Sequence, residues 1–269
     1  MNGGAVIKLS SAATREFWEL PVLFEDEHML ALDKPGGLLS SADRYDPARP
    51  NLLELLHRGI AEGKVWARMR NLAYLMIAHR LDSDTSGVIL LARNKPALVA
   101  LANFFGTEPS GHEYTALVQG APAEDHFEID AKLAPHPLQA GLMRVDSRQG
   151  KQSRTRFTVQ EKFSRWTLLK CEPLTNRPHQ IRAHLCHARL PVAGDPLYGG
   201  QPLLLSRLKG AYHLKPNQTE RPLIGSPALH SEKLTLPHPV TQEMISISAP
   251  WPKDLKVAVK YLRRYAAAS

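Results

Sequence analysis

A succession of short, strand-like segments that does not alternate regularly with helices limits most strongly what this chain can fold into. Between residues 114 and 174 the sequence reads YTALVQG, FEIDAKL, RTRFTVQEKF and WTLLKCEPL. In the third segment Thr155, Phe157 and Val159 alternate with polar or charged residues, as in a half-exposed antiparallel strand. The regular βαβ order of a doubly wound parallel sheet is missing. The pattern therefore predicts an α+β fold with a mixed, mostly antiparallel sheet and flanking helices.

The first hundred residues supply further predicted elements. Residues 22–33 indicate two strands around an acidic turn, and the glycine-rich segment KPGGLLS follows. Asn51 and Glu54 form a capping pair before LLELLHRGI, which predicts a helix ending near Gly63. The remaining predictions here are buried strands at 72–78 and 88–92 and a helix from Asn94 to Gly106.

The last third of the sequence predicts helices around a surface excursion. After Pro178 the segment HQIRAHLCHARL has helical spacing. Residues 200–228 are rich in Pro, Gly and polar residues, which favours a long excursion on the surface. A closing hairpin and a basic helix from Pro252 complete the chain.

Composition narrows the class of protein. With 269 residues, 43% of them hydrophobic, the chain can bury the core of one large domain or two small ones. The net charge of +8 favours an anionic partner. Two cysteines, Cys171 and Cys186, are too few for a disulfide framework, which indicates a reducing compartment. No apolar run reaches about twenty residues and the N-terminus lacks a leader pattern, so we expect a soluble, cytoplasmic protein without a membrane partner.

The motif HRLDSDTSG at residues 79–87 lies between two apolar runs and is open to several interpretations. A calcium loop would need glutamate at its twelfth position, where the chain has Arg93. Asp82 and Asp84 also fit the nucleophile loop of haloacid dehalogenase-like phosphatases, but the downstream magnesium-binding acidic pair is reduced to Asp195. The simplest alternative is a capped turn between two core strands. The motif alone leaves these alternatives open.

Six motifs occur in a fixed order between residues 34 and 243. They resemble the RluA-type pseudouridine synthases: KPGGLLS, HRLDSDTSGVILLARN, EYTALVQG, TNRPHQIRAHL, PVAGDPLYGG and LPHPVTQE. The resemblance that they carry extends from residue 22 to about 252. The resemblance implies an RNA uridine isomerase whose mixed sheet and helices surround a central cleft. It further implies a catalytic domain at 21–269 after an N-terminal arm at 1–20. The small N-terminal RNA-binding domain of many relatives has no room here, so we expect the cleft and the segments 41–70 and 200–228 to select the target.

The resemblance also implies a catalytic set. The aspartate of HRLD is the family's catalytic residue and corresponds to Asp82, while Asp84 falls outside the set. Arg182, in HQIR, would pair with Asp82 across the cleft, and Tyr114 would stack on the target base. Taken without the resemblance, Arg182 is an exposed helix arginine and Tyr114 a core tyrosine.

Further residues are implied to contact RNA. Arg80 would enter the space vacated when the target nucleotide is flipped out of its stack. Lys34, Arg177 and His179 would contact the RNA backbone at the cleft rim. The implied partner is ribosomal or transfer RNA, and no metal, no organic cofactor and a monomer are expected.

Two positions depart from the family pattern. Asn176 stands where glycine is common, and we expect it to adopt a positive φ so that the turn survives. His112 stands where a lysine often precedes the active tyrosine, which predicts a weaker or pH-dependent phosphate contact. Besides the isomerase, a metal-dependent phosphatase and a catalytically inactive RNA-binding module stay open. Magnesium dependence would favour the phosphatase, and Asp82, Tyr114 and Arg182 together argue against the inactive module.

Overall fold

The computed structural model describes residues 6–44, 46–106, 111–210, 212 and 218–268. The chain divides into two compact units. The first comprises Met1–Gly111 and Ser231–Pro250, and the second His112–His230 and Trp251–Ser269. Both units are therefore discontinuous: residues 112–230 of the second unit are inserted between the two segments of the first, and residues 251–269 of the second unit follow them.

The secondary structure elements have the following bounds. The strands are β1 (Val6–Ser11), β2 (Glu16–Glu25), β3 (Met29–Lys34), β4 (Met76–Ile77), β5 (Ser86–Ala92), β6 (His112–Gln119), β7 (His126–Asp130), β8 (Leu133–Pro135), β9 (Met143–Val145), β10 (Arg154–Lys162), β11 (Trp166–Pro173), β12 (Leu229–Pro237) and β13 (Met244–Ser248). The helices are α1 (Leu52–Ala61), α2 (Val65–Arg68), α3 (Lys95–Gly106), α4 (Gln180–His187), α5 (Leu205–Leu208) and α6 (Lys253–Tyr265), with a 3-10 helix at Pro196–Tyr198.

The sheet of the first unit has the order β1-β2-β3-β5-β12, with β13 beside β12 and β4 beside β5. Strand β5 is buried at every position and carries no polar side chain after Ser86, because its sheet neighbours flank it and the helix α3 packs against it. Its core includes Met29, Val88, Leu101 and Leu234. Arg93, directly after β5, donates to the carboxylate of Glu25 and to the carbonyl of Arg70, so the residues after α2 are held to the sheet.

The sheet of the second unit has the order β6-β11-β10-β7, with antiparallel pairing throughout, and β8 and β9 form a separate antiparallel hairpin. Its core packs the inner faces of β6 and β11 against α4 and α6, through residues such as Leu169, Leu185 and Leu262. Thr155 and Phe157 on β10 are fully buried, as the predicted alternation requires.

The predicted fold class, a mixed and mostly antiparallel sheet with flanking helices, is confirmed. Asn51 caps α1 by accepting from Glu54 N at 3.0 Å. Most of the predicted strand at 72–78 is wrong, since only Met76–Ile77 pair with β5. Residues 6–20 contribute β1 and half of β2, so the predicted domain boundary at residue 20 falls inside a strand of the first unit.

The predicted surface excursion at 200–228 is wrong for part of its length. Leu203 and Ile224 are buried in the core of the second unit. Residues 211 and 213–217 of the segment lie outside the described residues. Among the described residues, no helix combines the length and the apolar character needed to cross a membrane.

Candidate active site

Asp82 lies in the loop between β4 and β5 of the first unit, and hydrogen bonds to the loop backbone fix its position. Its carbonyl accepts from Thr85 N at 3.2 Å and closes a turn. The hydroxyl of Ser40 accepts from Leu81 N at 3.2 Å and donates to Leu81 O at 2.8 Å. Asp82 itself is half-buried, whereas Arg80 is exposed to solvent. The loop therefore presents a carboxylate from a held backbone.

His79 braces the start of this loop. Its Nε2 accepts from Leu90 N at 3.1 Å, so this ring nitrogen carries no proton in the bond. The ring packs on Phe105 with centroids 4.9 Å apart. These contacts hold the residue inside the unit and agree with a bracing role for His79.

Lys34 lies inside the first unit and not at a rim, which corrects its predicted position. Its side chain is fully buried, and Nζ donates to the carbonyls of Pro35, Leu38 and Ser83 at 2.9, 2.7 and 3.0 Å. Burial lowers the pKa of Lys34 to about 7, and the charge of Asp82 acts in the opposite direction. An ammonium group with three carbonyl acceptors is a cross-link between loops, so Lys34 holds the loop of Asp82.

The same two loops are joined by further bonds. Gly37 N donates to Ser83 O at 2.9 Å, and Arg49 donates to the hydroxyl of Ser83 at 2.8 Å. After the loop, Gly87 adopts a φ of +110°, and a Cβ there would lie 2.1 Å from the carbonyl oxygen of Ser231. Only glycine fits this position. The loop that carries Asp82 is thus fixed at both of its ends.

Tyr114 lies on β6 of the second unit, paired with Cys171 of β11, and its side chain is half-buried. The ring of His112 lies 5.8 Å from it. His112 is buried, and this burial lowers its pKa to about 4. A buried imidazole that is neutral at pH 7 brings no positive charge to a phosphate, so the weaker phosphate contact expected of His112 stays a prediction.

The turn before α4 uses a different residue from the one expected. His179 adopts a φ of +50° at the N-cap, whereas Asn176 does not have a positive φ. The expectation for Asn176 is therefore wrong. Arg177 donates from Nη1 to Asn176 O at 2.9 Å and is half-buried.

Arg182 is buried in the second unit and is not an exposed helix residue. Its Nε donates to Asp195 Oδ2 at 2.6 Å and its Nη2 to Asp195 Oδ1 at 2.9 Å. The side chains are 2% and 0% exposed. The guanidinium carbon lies 5.0 Å from the centroid of the Tyr198 ring. A bidentate carboxylate and an aromatic face together fix the orientation of this cation.

Sequence reasoning missed the roles of Asp195 and Tyr198. The motif PVAGDPLYGG carries both, three residues apart on the 3-10 helix. Asp195 accepts from Leu197 N at 3.2 Å as the N-cap, and the Tyr198 hydroxyl bonds to His179 Nδ1 at 3.0 Å. The spacing of Asp195 and Tyr198 could have indicated this arrangement, because the carboxylate that caps a helical turn lies near the aromatic residue that ends the same turn.

Tyr114, His179 and Arg182 lie in the second unit, and His179 and Arg182 share Tyr198 as a neighbour. Asp82, Arg80 and Lys34 lie in the first unit. Within the described ranges, which leave out 1–5, 45, 107–110, 211, 213–217 and 269, no group of three or more His, Cys, Asp or Glu side chains is placed to hold a metal ion.

These residues and this fold match one protein family. The model of the RNA pseudouridylate synthase family matches residues 28–187. The chain belongs to this family of isomerases, in its RluA-type branch. Because the chain belongs to this family, the phosphatase interpretation of residues 79–87 is excluded.

Individual relatives agree with the family match. The ribosomal large subunit pseudouridine synthase D of Xanthomonas campestris is 35% identical over 265 residues, 97% of this chain and 75% of that protein. Synthase C of Escherichia coli is 34% identical over 244 residues, 90% and 70% of the two chains. The solved structure of human RNA pseudouridylate synthase domain containing 4 has a TM-score of 0.69 at 22% identity, with 90% and 92% coverage. At this identity it shows the fold alone.

Proposed function

We propose that this chain converts specific uridines of large-subunit ribosomal RNA to pseudouridine, with Asp82 as the catalytic residue. The supporting observation is the held loop around Asp82, which Lys34 and Ser40 fix to the neighbouring segments. The named activity of relatives at 34–35% identity supports ribosomal RNA as the substrate. The net charge of +8 suits a polyanion. The location that goes with such a substrate is the cytoplasm, where bacteria assemble ribosomes.

The proposed reaction needs no oxidant and no leaving group outside the nucleotide. The bond from C1′ of the ribose to N1 of uracil breaks, the base rotates, and C1′ bonds to C5 instead. The hydrogen on C5 leaves as a proton, and N1 gains one. A carboxylate can assist by attacking the sugar or the base, or by taking a proton from the sugar. Asp82 supplies that carboxylate in any of these routes.

Arg182 and Tyr114 complete the proposed catalytic set. Asp195 and Tyr198 hold the guanidinium of Arg182 from its edge and from its face, so it is oriented before substrate binds. We assign Arg182 as the cationic partner of Asp82. Tyr114, half-buried on a paired strand, offers a ring on which the uracil can stack.

Access to the uridine requires base flipping, which costs a few kcal/mol. Arg80 is exposed two residues before Asp82 and fits the role of filling the space the base leaves. Arg177 and His179 precede α4 and supply polar contacts to the backbone of the RNA. Lys34 has no such role in this proposal, because its ammonium group is used inside the first unit.

The test is tritium release from an in vitro transcript of Escherichia coli large-subunit rRNA labelled at C5 of uridine, in buffer with EDTA. We expect release by the wild type and a loss of at least about 100-fold in Asp82→Asn. Asp84→Asn is the matched control, because it removes a half-buried carboxylate from the same loop, and we expect it to keep its activity. Equal activity of the Asp82 and Asp84 variants would refute the assignment.

A second experiment identifies the substrate. Pseudouridines are mapped in the total RNA of a deletion strain, its parent, and strains complemented with wild type or Asp82→Asn. We expect one or more positions in large-subunit rRNA to disappear and to return only with wild type. Loss of a tRNA position instead would replace the substrate while keeping the reaction. Return of the modification with Asp82→Asn would contradict the catalytic role of Asp82.

A further inference from the structure

The β8–β9 hairpin of the second unit carries an excess of positive charge on its surface. Residues 131–151 contain four cations, Lys132, Arg144, Arg148 and Lys151, all of them exposed. The only acid in this segment is Asp146, and Arg144 binds it at 2.7 Å. Such a surface suits the phosphate backbone of RNA.

The distal part of this hairpin is attached to Tyr198. Met143 N donates to the Tyr198 hydroxyl at 3.1 Å. Leu142 and Val145 pack in the same small apolar cluster as Ala183 and Tyr198. The hydroxyl that holds the hairpin also bonds to His179 Nδ1 at 3.0 Å, and the ring below it faces the guanidinium of Arg182. One side chain thus contacts the hairpin, the turn before α4 and a buried arginine of α4.

The base of the hairpin is held separately. His184 Nε2 lies 3.0 Å from Ala131 O, and the carbonyl can only accept, so this nitrogen donates. His184 Nδ1 then accepts from the hydroxyl of Thr155 at 2.9 Å. Burial lowers the pKa of His184, which keeps the ring neutral in this arrangement. Loss of the Tyr198 hydroxyl should therefore loosen the distal hairpin without releasing its base.

We propose that Tyr198 is a positioning residue with two separable functions. Its hydroxyl holds the β8–β9 hairpin and His179 as a surface for RNA phosphates, and its ring orients Arg182. This inference rests on the proposed function, since it assigns Arg182 to the reaction. It predicts that the hydroxyl and the ring affect different measured quantities. Loss of the hydroxyl should change the Kd for RNA, and loss of the ring should change the rate of the reaction in the bound complex.

The test compares Tyr198→Phe, Met143→Pro, their double variant and Tyr198→Leu with wild type on the labelled large-subunit rRNA transcript. Tyr198→Phe should raise Kd about 3- to 10-fold, because the hydroxyl loses its bonds to Met143 N and His179 Nδ1, and should leave the single-turnover rate at saturating RNA within about twofold. Tyr198→Leu should lower that rate at least about tenfold, because the guanidinium loses its aromatic face. Tyr265→Phe is the matched control, since its ring faces Arg264 at 5.3 Å, and it should change neither quantity.

Met143→Pro removes the same hydrogen bond from the other side. The N–H of Met143 points to Tyr198, so proline removes that donor. We expect the double variant to bind RNA no more weakly than Tyr198→Phe alone, because the hydrogen bond that Met143→Pro removes is already absent in Tyr198→Phe. Additive losses in Kd, or a Tyr198→Phe variant with unchanged Kd, would overturn the inference. The variant Arg148→Gln tests whether the hairpin contacts RNA phosphates. It should lower the slope of log Kd against log salt concentration by about 0.7 to 0.9. An unchanged slope would show that the hairpin does not belong to the surface that binds RNA.

Hydrogen exchange separates this inference from the proposed function. In the free protein, the amides of residues 136–145 should exchange faster in Tyr198→Phe than in wild type, while those of β10 stay unchanged. If the wild type releases no tritium, the proposed function fails, but faster exchange still supports the coupling. If the wild type is active and exchange in the hairpin is the same in both proteins, the coupling fails while the function stands.

Discussion

Replacement of Asp195 by asparagine tests the buried ion pair that holds Arg182. The variant keeps the shape of the side chain and one oxygen, which can still cap the 3-10 helix through Leu197 N. It removes the negative charge, and its amide nitrogen faces an N–H donor of the guanidinium. Because the two side chains are 2% and 0% exposed, water cannot replace the lost acceptor. A buried charge left without its partner costs about 3–5 kcal/mol of folding free energy.

The assay is urea unfolding followed by tryptophan fluorescence and by circular dichroism. Trp166 reports on the second unit, where it lies in the core. We expect Asp195→Asn to lower the free energy of unfolding of this unit by about 3–5 kcal/mol, with an unchanged m-value. We also expect the isomerase rate to fall, since Arg182 then loses the bidentate carboxylate that orients its guanidinium.

Glu161→Gln is the matched control for burial. Arg263 binds Glu161 through both Nε and Nη2, in the same bidentate manner, but the side chains are 57% and 31% exposed. Solvent screens such a pair, so its loss should cost less than about 1 kcal/mol. Equal destabilisation by Asp195→Asn and Glu161→Gln, or a cost below about 1 kcal/mol for the buried pair, would refute the reasoning from burial.

Three further predictions concern stability. Burial lowers the pKa of Lys34 in the folded protein to about 7 from its ordinary value of 10.5, so the unfolded chain binds more protons between these two pH values. The free energy of unfolding of the wild type, compared with that of Lys34→Met, should therefore rise as pH increases from about 7 to 10.5 and fall as pH decreases over the same range. If urea unfolding gives the same pH dependence for both proteins, the pKa of Lys34 is not lowered. Gly87→Ala should unfold the first unit at markedly lower urea because its Cβ meets Ser231 O at 2.1 Å, whereas Gly106→Ala, with no atom within 4 Å, should stay near wild type. Burial lowers the pKa of His112 to about 4, so the stability contributed by its neutral form is present above about pH 6.5 and is lost as pH falls toward 4. In His112→Gln the free energy of unfolding should therefore fall less steeply than in wild type as pH decreases from about 6.5 to 4. Equal slopes in the two proteins would show that His112 does not titrate in this range.

Local patterns in the sequence predicted most of the elements. The alternation at Thr155 and Phe157 and the capping pair of Asn51 and Glu54 depend on neighbours within a few residues, so the sequence contains the whole signal. The burial of Arg182 and Lys34 does not depend only on residues near them in the sequence. Arg182 is buried because a carboxylate thirteen residues away binds it, and Lys34 because a carbonyl 49 residues away accepts from it.

The candidate site also has a part that the sequence predicted and a part that it did not. The motif around Asp82 and the family resemblance led to the principal residues. The contacts that hold them could not be predicted, since each pairs a polar group with a partner from another segment. The positive φ shows the same limit: residue preference favours asparagine in this conformation, yet His179 and not Asn176 adopts it.

The insertion of residues 112–230 into the first unit has a consequence for protein synthesis. Strand β12 lies next to β5 in the sheet, yet from Ser231 onward it leaves the ribosome only after residues 112–230 of the second unit have been made. Until then the edge of β5, which has no polar side chain after Ser86, lacks that neighbour. Pairing over such a separation is slow, and an unpaired apolar edge invites association with other chains. The nascent first unit is therefore the stage at which we expect this protein to depend most on chaperones.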